Sequence, residues 1–272
     1  ALKTPLYGSL DWYAGFQTVS MITVGQPIGV FYGYQTDGLY RDAEDLRNSP
    51  RPEGVNIHRT TGSWVGDVKF KDISGPSGVP DGIINEYDQT FIGDPNPDFT
   101  FGFTNTFSYK NWELGVGLTG SIGGDILNYV RVKTEGLNSQ WDNQSTKVLN
   151  RAQLGYLDGD NYNVSNPDNS YIINSSASLP RWSGNDINGN NRMSDRWIED
   201  GSYVRIQNIS LSYTLPKNWL SKVGVANCKL YVNAQNVYTF TDYSGQDPEI
   251  GSYNQQAGLS NVDMGRYPSP RV

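Results

Sequence analysis

Residues 81–88, Asp-Gly-Ile-Ile-Asn-Glu-Tyr-Asp, carry the second half of a calcium-binding loop. Gly82 stands at the turn position and Ile84 at the apolar one, while Asp72, Asp81 and Asp88 supply hard oxygen donors of the kind Ca2+ takes. The first half departs from the pattern. Ser77 occupies the place of the leading Asp, and Gly75-Pro76-Ser77-Gly78 reads as an insertion. Two readings stand side by side, a Ca2+ site on Asp72, Asp81 and Asp88, and a structured turn that needs no cation.

Binding chemistry of another kind is offered by Trp141, Tyr171, Trp182, Trp197 and Tyr253, each among Asn and Asp residues. Aromatic faces suit the C–H faces of sugar rings, with neighbouring amides for the hydroxyls. Use as interface anchors or as loop packing is the competing role. Catalysis has little to stand on. His58 is the only histidine, and no nucleophile or orienting carboxylate surrounds it in sequence. Asp247 and Glu249 form a carboxylate pair of the kind a glycosidase uses, yet any acidic loop offers such pairs. No phosphate loop, dinucleotide fingerprint or metalloprotease helix appears. The reading is of a protein that is not an enzyme. Four Asn-x-Ser sequons, at Asn143, Asn163, Asn174 and Asn208, are the chance product of an Asn- and Ser-rich chain.

The elements that would position these groups are strands. In 99–109, Phe99, Phe101, Phe103, Phe107 and Tyr109 fall on one face and Thr100, Gly102, Thr104, Thr106 and Ser108 on the other. After Lys110-Asn111 the alternation restarts, with Trp112, Leu114, Val116 and Leu118 opposite Glu113, Gly115, Gly117 and Thr119. Side chains alternate faces along a strand, so this predicts a hairpin with one apolar and one small, polar face. Each arm is long enough to cross a bilayer as a tilted strand, which takes roughly 9–11 residues. Further strands are predicted over 203–215 and 228–236, joined by a turn at 216–227 with Trp219 at an interface. Residues 27–40 read as extended.

The connections alternate in length. Lys110-Asn111 is very short, while 41–98, 120–202 and 237–266 are long, polar and rich in Asn, Asp, Gly and Ser, with short helical pieces expected within 125–154. Structureless loops of that size are uncommon in compact domains, whereas membrane barrels have short turns at one end and long loops at the other. Laid on alternating strands, every long segment lands on the same side.

Composition bounds the function. Charged residues are 18% of the 272 and the net charge is −7, so nucleic acid is not an expected partner. One cysteine, Cys228, rules out an internal disulfide and a cysteine-based zinc site. No run of 18 apolar residues marks a membrane helix. The N-terminus lacks the pattern of a signal peptide, and both ends look cut from something longer.

Several segments resemble the C-terminal part of the SusC/RagA-type TonB-dependent outer-membrane transporters of Bacteroidetes. They include Gly25–Tyr34, Gly66–Asp72, Ile92–Phe103, Asp200–Pro216, Tyr231–Thr241, Asp247-Pro-Glu249 and Tyr267–Arg271. The resemblance implies an all-β fold: C-terminal strands and long extracellular loops of a 22-stranded transmembrane antiparallel barrel. Residues 1–272 would be a partial barrel without plug or last strand. It also implies import of oligosaccharides or peptides with a SusD-like surface lipoprotein, driven by TonB through a region N-terminal to this one. Thr100, Thr104, Glu113, Asn233 and Gln235 would line the wet interior, with outer-membrane lipid on the other face. The alternative is a secreted, soluble β-rich carbohydrate-binding or adhesin domain, with its apolar strand faces buried against a second sheet.

Overall fold

A computed structural model describes residues 4–12, 15–159, 163–251 and 258–265. They fall into two compact units, one drawn from 1–95, 127–198 and 250–272, the other from 96–126 and 199–249.

The second unit is a four-stranded antiparallel meander. Phe99–Tyr109, Trp112–Ile122, Tyr203–Thr214 and Lys229–Thr241 lie side by side in chain order. The expected hairpin is present, with Trp112 opposite Tyr109 and Leu114 opposite Phe107. Its two-residue turn is made by Lys110, at φ 54°, and Asn111. The connection to the last strand of this sheet, expected as a turn, contains a single helical turn, Lys217–Leu220, with Trp219 exposed and Leu220 buried. The strands run longer than the alternation alone suggested, to Ile122 and to Thr241.

Register carries one apolar face across all four strands. Phe107, Leu114, Leu211 and Val232 form one row, and Tyr109, Trp112, Tyr213 and Leu230 another. At Gln207 the register slips by one residue, since Gly117 faces Asn208 while Leu118 faces Ile206. This is a β-bulge, the insertion of a single residue that resets the side-chain phase. A regular strand running through Gln207 would turn Gln207 and Arg205 onto the apolar face. The bulge turns Ile206 and Val204 there instead and sends Arg205 to the polar side. On the next strand Asn236, at φ 50°, accommodates a second slip. Gly120 is required for close packing: a Cβ there would lie 2.5 Å from the Phe101 ring across the strand pair and 2.8 Å from the Tyr203 carbonyl oxygen.

In the first unit, Leu6–Trp12, Gly15–Ile22, Val30–Gly33 and Thr90–Gly93 make a second antiparallel sheet. The predicted extended segment resolves into Val30–Gly33 and Thr36–Leu39. Most of 41–98 and 120–202, expected as long polar loops, folds around buried clusters. One joins Leu10, Trp12, Val19, Phe31, Leu127, Val132 and Trp197. Others join Leu39, Val68, Phe70 and Ile84, and Tyr40, Leu46, Trp64 and Val65. Two short helices contribute. Ala43–Asn48 is capped by the Asp42 side chain accepting from the Asp45 amide, and Tyr129–Glu135 lies within the region where helical pieces were expected.

Candidate functional site

The polar face of the second unit's sheet carries Thr100, Thr104, Glu113, Ser210, Asn233 and Gln235, opposite the apolar rows. Lys229 reaches across it to Glu113, Nζ to Oε1 at 3.0 Å. Arg205 is its most constrained group. The guanidinium side chain is only 9% exposed. Its Nε donates to Thr239 Oγ1 at 2.9 Å, Nη2 to Asp247 Oδ1 at 2.5 Å and Nη1 to Glu249 Oε2 at 2.7 Å. Asp247 also accepts from the Glu249 amide at 2.9 Å. Both carboxylates weighed as a hydrolytic pair are thus engaged by one arginine, and the segment bearing them is tied to the sheet. Charge-assisted pairs in this fork geometry are short and directional.

The opposite face is exposed where a soluble sandwich would bury it. Phe103 is 53% accessible, Phe107 57%, Leu211 44% and Val232 73%. A contiguous apolar surface of this breadth marks contact with a nonaqueous partner.

The carboxylates read as a calcium loop serve backbone amides. Asp72 accepts from the Gly82 amide at 2.5 Å and Asp81 from the Ile83 amide at 3.0 Å. Asp88, fully buried, accepts from Ile73, Ser74 and Asn85. Asn85 and Asp88 together form a capping box on the short helix Glu86–Asp88. Among the described residues no group of three His, Cys, Asp or Glu side chains is placed to hold a metal. His58 Nδ1 accepts from the Thr61 amide at 3.2 Å, a role in shaping its own loop.

Among the described residues, the four candidates Trp141, Tyr171, Trp182 and Trp197 make no ring contact with one another. Trp141 is 86% exposed, Trp182 50% and Tyr171 41%. Tyr253 lies outside the described residues. Trp197 corrects the expectation, because it is fully buried in the main core cluster, donates from Nε1 to the Arg192 carbonyl, and lies 4.2 Å beneath the Arg196 guanidinium. Burial lowers the Arg196 pKa to about 9, with Arg131 adding to the effect.

The Asn-rich stretch before Trp197 reads as a solvated loop in sequence, but in the structure it is a buried polar scaffold. Asp67, with no exposed surface, pairs with Arg181 at 2.9 Å and accepts from Asn190 at 3.0 Å. Asn190 also accepts from the Val68 amide, and Asn188 bridges Ser63 and the Val68 carbonyl. Burial raises the pKa of Asp67, against the opposing pull of Arg181. These side chains replace backbone pairing that the irregular segments cannot make for themselves.

No protein-family model matches the chain. It is 34% identical over 257 residues to TonB-dependent receptor P3 of Formosa agariphila, a match covering 91% of this chain and 22% of that protein. To TonB-dependent receptor P26 of the same organism it is 29% identical over 255 residues, 92% of this chain and 22% of the relative. To TonB-dependent receptor SusC of Bacteroides thetaiotaomicron it is 26% identical over 196 residues, 69% of this chain and 15% of the relative. The chain therefore spans about a fifth of the length of the first curated relatives it matches. A solved structure of the RagAB peptide transporter superposes with a TM-score of 0.61 at 19% identity, over 92% of this chain and 22% of that one.

Proposed function

The chain belongs to the TonB-dependent receptors of the SusC/RagA type as one portion of their β-barrel, and we propose that it forms a stretch of barrel wall and loops in an outer-membrane nutrient importer. The observation that carries this is the sheet of the second unit, with an exposed apolar face continuous across four strands and a polar face on its other side. In this reading the Phe and Leu rows touch lipid and the Thr, Asn and Gln rows line a wet lumen. The Arg205 clamp then fastens the segment through Asp247 and Glu249 on the lumen side. The curated relatives are named as TonB-dependent receptors, which supports a transport rather than a catalytic role.

A substrate-binding surface lipoprotein of the SusD type and energisation by TonB complete the proposal for the whole receptor. The exposed Trp141, Tyr171 and Trp182 are offered as substrate contacts, for an oligosaccharide or a peptide; the solved neighbour is described as a peptide transporter. The test is insertion of the full-length receptor carrying Leu211→Arg or Ser210→Arg, adjacent residues on opposite faces. The lipid-face arginine costs on the order of 2–4 kcal/mol near the bilayer midplane. Leu211→Arg is expected to lower the heat-modifiable, membrane-inserted fraction while Ser210→Arg leaves it intact. Equal insertion of the two would refute the assignment of faces.

A further inference from the structure

Where the apolar face of the second unit's sheet meets the long connections, it carries a groove of about 440 Å3. Ile122, Val204, Tyr238 and Phe240 line its floor, and Asp200 and Asp242 line it where the strands end. Register puts these groups on one face. Val204 lies opposite Phe240 and Ile206 opposite Tyr238, while Ile122 follows Gly120, the other partner of Val204, by two residues. Asp242 continues the same alternation two residues past Phe240. The Tyr238 and Phe240 rings are both exposed and meet edge to face, with centroids 4.7 Å apart.

The two carboxylates have no counter-charge. Asp200 Oδ1 accepts from the Ser202 amide at 2.8 Å and from its hydroxyl at 2.6 Å, which fixes that oxygen and leaves Oδ2 uncommitted. Thr241 Oγ1 donates to the Ser202 carbonyl at 2.8 Å, fastening the two acid-bearing segments side by side. Asp200 and Asp242 are exposed, and among the described residues no cation pairs with either. Arg205 lies on the opposite face and is held by Asp247 and Glu249. The second unit's other cations, Lys110, Lys217, Lys222 and Lys229, all belong to the short-turn end of the sheet. Apart from Glu113, its carboxylates all belong to the long-connection end. An aromatic girdle accounts for rings at this level but does not call for unpaired carboxylates on the same face.

Carboxylates beside exposed rings make a recognition chemistry for ammonium, through opposite charge and the negative ring faces. From this geometry we propose that the groove seats a membrane lipid whose headgroup carries a primary ammonium. Its acyl chains lie along Ile122, Val204 and Phe240, and its amine donates to Asp200 and Asp242, as a quaternary ammonium without N–H could not. An anionic headgroup would meet like charge there. The inference rests on the importer reading, which puts hydrocarbon on this face, and adds a lipid of stated chemistry at one position along it. The experiment uses the full-length receptor, purified in uncharged detergent from outer membranes. Its probes are phosphatidylethanolamine and phosphatidylglycerol bearing the same photoreactive acyl chain, with adducts mapped to the strand Lys229–Thr241. The ethanolamine lipid is expected to label this strand at least about fivefold more than the glycerol lipid, the worth of an exposed ammonium–carboxylate pair. Asp200→Asn with Asp242→Asn, which keeps the acceptor for Ser202 and removes the charge, should abolish the preference, and Phe240→Ala should lower both yields. Equal or greater labelling by the glycerol lipid, a preference that survives the double substitution, or yields unchanged by Phe240→Ala would each overturn the proposal. Displacement by soluble glycerophosphoethanolamine at the same concentration would overturn it too, because the apolar floor would then contribute nothing. A receptor that inserts with the Leu211/Ser210 asymmetry but shows no lipid preference refutes this inference alone, whereas loss of the asymmetry refutes the importer reading.

Discussion

Replacing Arg205 with alanine removes three donors at once from the polar face, and among the described residues no other cation pairs with Asp247 or Glu249. Hydrogen bonds to charged groups are worth about 1.5–3 kcal/mol each when shielded. The carboxylates here are 41% and 64% exposed, so solvent screening reduces each to the range of surface pairs, about 1 kcal/mol or less. The Thr239 contact lies within the sheet and holds no part of the segment, so the two carboxylate pairs together set the effect: release is favoured by up to about 2 kcal/mol, about a 30-fold rise in the detached population. Arg205→Lys recovers only part of this, because an ammonium cannot grip two carboxylates as a fork. Hydrogen exchange on the full-length receptor in detergent provides the assay. The Glu249 amide, bonded to Asp247, should exchange about 30-fold faster. Ser244 provides an internal control, since its amide and hydroxyl are held by Glu199 and do not depend on the clamp. Unchanged exchange at Glu249, or equal acceleration at Ser244 and Glu249, would refute the idea that Arg205 fastens this segment.

Trp197→Ala should destabilise the first unit by about 3–5 kcal/mol, read as a lower denaturant midpoint, because it empties a fully buried site. Asp67→Asn leaves the Arg181 guanidinium buried without its counter-charge, and a loss of about 3–5 kcal/mol in the same measurement is expected. Gly120→Val should cost about 1–3 kcal/mol and lower the temperature of heat modification, since its side chain meets the Phe101 ring and the Tyr203 carbonyl. The Arg47 hydrogen bond holds the Asp168 carboxyl below its usual pKa. A depressed folded-state pKa gives stability that is present above the unfolded value of about 3.9 and is lost as pH falls through the folded one. Exchange around Pro167–Asn169 should therefore accelerate below about pH 4, and Arg47→Ala should abolish that dependence.

The second unit could be read from sequence because its strands are long and alternate cleanly. Phe99 to Leu118 alone fixes a hairpin, its turn and both faces. The slip at Gln207 also leaves a trace, since apolar residues sit at 204 and 206 and then at 209, 211 and 213, a break in parity. The first unit offered no such handle. Its clusters draw Leu39, Val68, Ile84, Ala152 and Ala177 from separate segments, through strands of two to four residues that are too short to show a period. Trp197 was misplaced for a related reason. Its Asn-rich approach looks solvated by composition, yet Asn188 and Asn190 are 1% and 2% exposed and act as surrogate backbone.

The one-residue slip at Gln207 also bears on how such walls can be recombined. A chimaera that joins the 203–206 half of this strand to a neighbour lacking the extra residue would need a compensating gap in the alignment. Counting by twos straight through the junction would deliver a guanidinium into acyl chains and an isoleucine into the aqueous channel, although every substituted residue looks conservative on paper.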